Sequence, residues 1–312
     1  MRVNRKWLAF FKKFKSDYDK MGLYENYKKL IRSLDVDSVA TVSRVLSHVE
    51  TVVHKNIGGY ADIFTEKEKA EIKLLRKDFG SRIIKISNEC FVYKKFFLPI
   101  NWFEVCVFYN EYGLQKLKTL KSVKNKNIID AGAFIGDSAL VFRQYTNQKV
   151  YAFEPVTENY KKMLKTIELN DCADSVIPVQ YALGSKKEKK RIYIGNSESS
   201  LHELHKKTPF KQSEEIEVIT LDDYVREHNL KIGLIKTDLE GAEQDFLKGA
   251  ENTIKKQKPV LMISIYHSAA DFFKIKPMLE SWDLGYTFSV RRETDGFALL
   301  ETTLIAEVLT NK

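Results

Sequence analysis

The run Ile128-Ile129-Asp130-Ala131-Gly132-Ala133-Phe134-Ile135-Gly136-Asp137-Ser138 holds the first residues whose spacing could do chemistry. An apolar strand leads directly into a glycine turn, and a second apolar strand, Val150–Phe153, ends at Glu154-Pro155. An acidic residue roughly twenty positions beyond a strand–glycine turn–helix unit is how a nucleoside ribose is gripped. Gly132 permits the sharp turn, and Gly136 lets a helix start approach a ligand closely. Glu154 offers an ionised, bidentate acceptor for two ribose hydroxyls.

The glycines read G-x-x-x-G, so the dehydrogenase fingerprint G-x-G-x-x-G is absent and a nicotinamide cofactor is disfavoured. Asp-x-Gly-x-x-x-Gly instead resembles the loop that holds S-adenosylmethionine, with Phe134 standing where a central glycine is usual. Further along come Ile235-Lys236-Thr237-Asp238-Leu239-Glu240-Gly241-Ala242-Glu243, then Leu247-Lys248-Gly249-Ala250, then Lys258-Pro259 before a strand. With Ala182-Leu183-Gly184 and Ile219-Thr220-Leu221-Asp222-Asp223-Tyr224, these segments resemble the FkbM-type methyltransferase family over about residues 96–306. Phe97-Leu98-Pro99 and Tyr109–Leu117 are similar to the lead-in of that family's core. Ser264 departs from the acidic residue commoner at its position.

The resemblance implies methyl transfer from S-adenosylmethionine to a hydroxyl oxygen, on a sugar, glycan, glycolipid or related natural product. It places Gly132, Phe134, Gly136 and Glu154 around the cofactor, has Asp130 order the glycine loop or meet the cofactor's ammonium group, and sets Asp137 and Ser138 at the cofactor's amino-acid end or as helix caps. Gln180 or Tyr181, ending the third strand, would flank the adenine. Asp238 falls at the carboxyl edge of the fourth strand, where α/β sheets bind ligands, and is expected beside the transferred methyl. His267 follows the fifth strand on the same edge, and its ordinary pKa suits a general base, with Asp238 as helper or alternate base. Glu240 caps the next helix or joins the site; His202 and His205 lie in a plausible substrate loop. Asp238, Glu240 and His267 could also ligate a metal, but no spacing here is diagnostic of one, and none is assigned.

These residues need a frame. The second half alternates strand and helix, with strands at Asn127–Asp130, Val150–Phe153, Val176–Gln180, Ile232–Thr237 and Val260–Tyr266. Helices are expected at Ser138–Tyr145, Thr157–Leu169, Ala242–Lys248 and Ala270–Trp282. Tyr286–Arg292 and Leu299–Val308 close it as an antiparallel hairpin. This is the class I methyltransferase arrangement, a Rossmann-like doubly wound α/β sheet. Residues 121–312 would form that domain and residues 1–120 a mainly helical region. The latter holds helices at 5–32, Asp37–Val53 and from a Thr65 capping box to Phe79, a β-hairpin within Ser81–Pro99, and a helix over Asn101–Leu120. Lys206–Glu215 reads as a polar excursion near the site.

The net charge of +9 comes entirely from residues 1–118, since 119–312 hold equal numbers of basic and acidic side chains. A catalytic half that gripped nucleic acid would be basic, so an RNA methyltransferase is disfavoured. Residues 5–32 place Trp7, Phe10, Phe11, Phe14, Tyr18 and Met21 on one helical face opposite lysines. That face packs on its own domain or lies on an anionic membrane, and a non-catalytic docking protein with a vestigial nucleoside fold is the rival reading. No apolar run is long enough to span a bilayer. Three cysteines without C-x-x-C spacing point to a cytoplasmic home, with peripheral contact at the membrane's inner face as an option.

Overall fold

The computed structural model describes residues 5–56, 64–194, 199–200, 212–294 and 299–309. Helices α1 (Arg5–Met21), α2 (Leu23–Ile31), α3 (Val36–His54) and α4 (Glu66–Ser81) come first. A small antiparallel sheet follows, of β1 (Ile83–Ser87), β2 (Cys90–Tyr93) and β3 (Phe96–Leu98), and then the single turn α5 (Val105–Phe108). The doubly wound part runs β4 (Asn127–Ala131), α6 (Asp137–Phe142), β5 (Val150–Phe153), α7 (Thr157–Leu169) and β6 (Val176–Val179). Next come β7 (Ala182–Leu183), β8 (Glu188–Ile194), β9 (Ser199–Ser200), β10 (Gln212–Ile219) and α8 (Leu221–Glu227). The chain closes with β11 (Ile232–Thr237), α9 (Glu243–Gly249), α10 (Glu251–Gln257), β12 (Val260–Ser264), α11 (Ala269–Ser281), β13 (Thr287–Arg292) and β14 (Thr302–Glu307).

The main sheet has seven strands in the order β6-β5-β4-β11-β12-β14-β13. Its first five are parallel, and β14 inserts antiparallel between β12 and β13. The central strands β4, β11 and β12 are buried at every position, as parallel strands covered on both faces must be. The chain leaves β4 toward β5 and β6, then returns to β11 on the other side. That reversal opens a crevice at the carboxyl ends of β4 and β11.

The expected helix over 5–32 is broken at Gly22, whose φ of +81° no other residue type adopts cheaply. The apolar stripe of α1 faces inward. Phe14 packs edge-on to Phe272 of α11 at 5.8 Å and Tyr18 to Phe273 at 6.0 Å, so the stripe packs on its own domain, with Trp7, Phe10 and Met21 partly buried against the same core. Phe11, Phe14, Val42 and Val49 belong to the same apolar core as Ile235 and Leu261 of the main sheet, and that core does not divide near residue 120.

The long helix expected over Asn101–Leu120 is absent. That stretch contains α5 and two 3₁₀ turns, Glu111–Lys116 and Leu120–Ser122, with Tyr112 and Gly113 both left-handed. Tyr112 stacks on Phe142 at 5.4 Å, and a side chain at 113 would strike Glu293, so tertiary contact overrides local helical pattern here. The hairpin within Ser81–Pro99 gains a third strand. A second sheet, β7-β10-β8-β9, went unread although Glu215-Ile216-Glu217-Val218 alternates charged and apolar residues along β10. Of the polar excursion, residues 212–215 are strand and 206–211 lie outside the described residues.

Because Phe14 is buried against α11, Phe14→Ala should cost about 3–5 kcal/mol in urea unfolding. A cost under about 1 kcal/mol would show α1 to be a detachable appendage.

Candidate active site

The turn after β4 is shaped by lack of room. Asp238 donates its amide to Ala131 O at 2.9 Å, and a Cβ on Gly132, at φ +78°, would sit 1.9 Å from the Asp238 carbonyl. Phe134, where a glycine was usual, takes φ +49°. Its amide donates to Glu154 Oε2 at 3.1 Å, and its ring stands edge-on to Trp102 at 5.5 Å. Gly136 is left-handed too, but a Cβ there would press on Met163 at 2.9 Å. It does not line the cleft, and its assignment to the cofactor is corrected to close packing of α6 on α7.

The cleft holds about 310 Å³. Phe134, Glu154, Lys162 and Tyr181 line it toward β5 and β6, Gly132, Asp137, Ser138 and Lys236 form its middle, and Asp238, Tyr266, Glu104 and Glu301 gather toward β11 and β12. Glu154 is 6% exposed; one oxygen takes the Phe134 amide and the other the Val156 amide at 2.9 Å. Asn159 Nδ2 also donates to Oε1 at 3.4 Å, so of a carboxylate's about four acceptor positions one remains for a ribose hydroxyl, and a second hydroxyl would replace the long Asn159 contact. The residues therefore fit a nucleoside. Burial pushes the pKa of Glu154 up to about 7, and that of Asp137 likewise to about 7.

Asp130 is fully buried behind this wall. Its carboxylate accepts the Ser138 hydroxyl at 2.5 Å and pairs with Lys236 Nζ at 3.1 Å, while Lys236 also donates to Gly132 O at 2.9 Å. Asp130 does not line the cleft; of its two expected roles, the geometry agrees with ordering the turn from beneath and not with contact to the cofactor. The β-sheet register dictates the pair, since Asp130 and Lys236 are direct partners across β4 and β11. Burial alone would discharge Lys236, but Asp130 and Asp238 raise its pKa, and it stays an ammonium.

His267 is the larger correction. Its side chain is 8% exposed and does not line the cleft. Nε2 meets Asp238 Oδ1 at 3.1 Å and Nδ1 meets Glu243 Oε1 at 3.1 Å, with Glu240 at 3.8 Å. Burial disfavours its charge, yet Glu243, Asp238 and Glu240 raise its pKa well above the ordinary histidine value. A doubly bonded imidazolium has no lone pair to take a proton, so His267 is a positioning residue and not the base. Asp238 does line the cleft. Burial would raise its pKa, but His267, Lys236 and the Tyr266 hydroxyl hold it below the usual value, as a permanent carboxylate.

Asp238, Glu243 and His267 bring potential ligand atoms within 4.8 Å of one another. Glu243 already accepts the Leu239 amide at 2.7 Å and the Gly241 amide at 3.0 Å, so the trio satisfies itself as a hydrogen-bonded chain that fixes the β11 loop. Gln180 is exposed and bonds Thr157, whereas Tyr181 lines the cleft; of the two residues expected at the adenine, only Tyr181 faces the cleft. His202 and His205 lie outside the described residues. Lys236, Glu243, Tyr266, Glu104 and Glu301 were missed. A lysine inside the apolar run Ile232–Thr237 was a readable signal for the first; Glu104 and Glu301 sit in no motif.

A seven-stranded sheet with one antiparallel insertion, and a nucleoside cleft at its switch point, define a class I methyltransferase fold. Residues 130–288 match the Methyltransferase FkbM domain, and the chain belongs to that family. It is 28% identical over 162 residues to Methyltransferase sdnD of Sordaria araneosa, covering 41% of this chain and 61% of that protein. To Methyltransferase 1 of Beauveria bassiana it is 26% identical over 186 residues, 53% of this chain and 74% of the other. The chain thus spans less than two thirds of the first relative. The crystal structure of Methyltransferase FkbM from Methylobacillus flagellatus KT superposes with a TM-score of 0.59 at 19% identity, over 94% of this chain and 60% of the other, a likeness of fold. The methyl donor of this family is S-adenosylmethionine.

Ribose hydroxyls donate to the ionised form of Glu154, so donor binding should release a proton and tighten as pH rises through about 7. Glu154→Gln should weaken S-adenosylhomocysteine binding by about 10–100-fold, as loss of charged hydrogen bonds does, and abolish that pH dependence. Calorimetry at several pH values reads both, and unchanged affinity removes the ribose role. The raised pKa of His267 has the opposite sign. Its contribution to stability is fully present below the unfolded value near 6.5 and is lost as pH rises through the higher folded value. His267→Ala should cost ~3 kcal/mol at neutral pH, because Glu243 is left buried and unpaired. The deficit should shrink on the alkaline side; a pH-independent difference in denaturation would show His267 to be neutral.

Proposed function

We propose that this chain transfers the methyl group of S-adenosylmethionine to a hydroxyl of a sugar, glycan, glycolipid or related polyol. The observation that carries the reading is the cleft lining. Glu104, Asp137, Glu154, Asp238, Glu240 and Glu301 face Lys162 and Lys236, and the rings of Trp102, Tyr112 and Tyr266 stand among them. Carboxylates accept hydrogen bonds from neutral hydroxyls, and ring faces suit the apolar faces of sugars. Residues 119–312, which hold most of the cleft, carry no net positive charge to grip a phosphate backbone, which argues against RNA. An amine would be held there as an ammonium without a lone pair, which argues against nitrogen as the acceptor.

The donor's sulfonium, when bound, supplies an electrophilic methyl. The protein's part is to hold the acceptor oxygen in line and assist loss of its proton. Asp238 stands at the carboxyl edge of β11, ionised and fixed by His267 and Tyr266. It orients the hydroxyl and stabilises positive charge nearby. A reducing compartment agrees with free Cys90, Cys106 and Cys172. Among the described residues, no helix is long and apolar enough to cross a membrane.

The test is incubation with methyl-labelled S-adenosylmethionine and glycan or glycolipid extracts, followed by mass spectrometry and fragmentation. Label on oxygen is expected; label on nitrogen or carbon overturns the reading. In the same assay Asp238→Asn should lower kcat on the order of 10²-fold or more, as removing a preorganised charge from a dry site does. Full turnover would remove Asp238 from the machinery.

A further inference from the structure

The cleft does not end at Glu301. A second cavity, of about 190 Å³, lies beyond it, and Glu104 and Glu301 line both spaces. Its walls include Phe79 of α4, Phe103, Val105 and Cys106 around α5, and Thr294 after β13. The two spaces therefore meet at a pair of carboxylates, on the side of the cleft away from Glu154. Glu301 adopts φ +63°, a conformation that glycine would take without strain. Strain held on a side-chain-bearing residue at a cavity junction points to a use for the side chain.

We infer that the second cavity is the acceptor subsite and that Glu301 takes the proton of the acceptor hydroxyl. The inference rests on the hydroxyl reading above. The acceptor's ring or apolar face lies against Phe79 and Phe103, and its hydroxyl emerges between Glu104 and Glu301. The acceptor oxygen forms the new carbon–oxygen bond as the methyl–sulfur bond breaks with its electron pair left on sulfur, and the hydroxyl proton passes to Glu301.

The groups facing Glu301 are Glu104, the Cys106 thiol that donates to it at 3.4 Å, Tyr112, Lys236, Asp238, Tyr266 and His267, with Arg76 of α4 lining the same second cavity. Burial and the Asp238 charge push its pKa up to about 7, while Cys106, His267 and Lys236 pull it down. Asp238 and Glu301 are thereby driven apart, one a fixed carboxylate and the other able to exchange a proton near neutrality.

Three variants test this on the glycolipid extract, with S-adenosylhomocysteine calorimetry as the check on fold and donor site. Glu301→Gln should keep donor affinity, lose about 10²–10⁴-fold in kcat, and lose the acidic limb of the pH–rate profile near 7. In the protein without donor, one of the three carboxyl ¹³C signals titrating near 7 should vanish with it, leaving those of Glu154 and Asp137. Glu301→Gly should raise Tm while activity falls, which a merely structural glutamate would not do. Thr294→Trp, filling the second cavity from its rim, should raise KM for the acceptor at least tenfold with donor affinity unchanged. An oxygen-methylated product with normal kcat in Glu301→Gln, or normal KM in Thr294→Trp, overturns the subsite while leaving the hydroxyl reading intact. A nitrogen- or carbon-methylated product overturns that reading itself, and the subsite with it.

Discussion

A single ammonium buried in the central sheet sets the terms for the site. Lys236 interrupts the apolar strand β11 and is 5% exposed, a placement that costs several kcal/mol unless the charge is matched. Matching requires β4 and β11 in their observed register, with Asp130 directly opposite, and the Gly132 turn close enough for its carbonyl to accept. The cation can be satisfied only when strand, strand and turn are all in place. Its contribution is positional: it converts sheet register into the location of the cofactor loop.

From that point charges alternate outward along the carboxyl edge: Asp130, Lys236, Asp238, His267, Glu243. Contacts of 3.1 Å pair Asp130 with Lys236, Asp238 with His267, and His267 with Glu243. The alternation sorts the cleft's acids into two kinds. Asp238, between two cations, is held ionised, whereas Glu154, Asp137 and Glu301, outside the chain, are pushed by burial to about 7. Identical functional groups thus acquire different duties through neighbours brought from distant segments.

That same dependence on distant neighbours decided what could be read from residue order. The strand Val150–Phe153, the helix Thr157–Leu169 and the strand Ile232–Thr237 were legible to the residue, because burial on a regular element imprints a period. Glu154, Tyr181 and Asp238 were expected at the cleft and do line it, since each sits at a strand end whose geometry is generic. His267 was placed on the right edge yet given the wrong task. Its ordinary pKa was the only guide available, and Glu243, 24 positions away, reverses it. The helix expected over Asn101–Leu120 failed for a related reason: Tyr112 gains more by stacking on Phe142 than by continuing a helix.

Parts of the cleft wall are built from irregular backbone. Phe134, Tyr112, Glu240 and Glu301 all line the cleft with left-handed φ angles between +49° and +63°, although none is glycine. Each such residue costs of order 1–3 kcal/mol, so the surrounding packing must over-determine it. Regular elements shared by a whole fold can hold a common donor, but they cannot distinguish one hydroxyl from another. Specificity has to be carried by side chains on strained, non-repeating segments, where no periodic pattern announces them. The strain and the silence of the sequence at Glu301 therefore have one origin: its position is set by its surroundings and not by the element it belongs to.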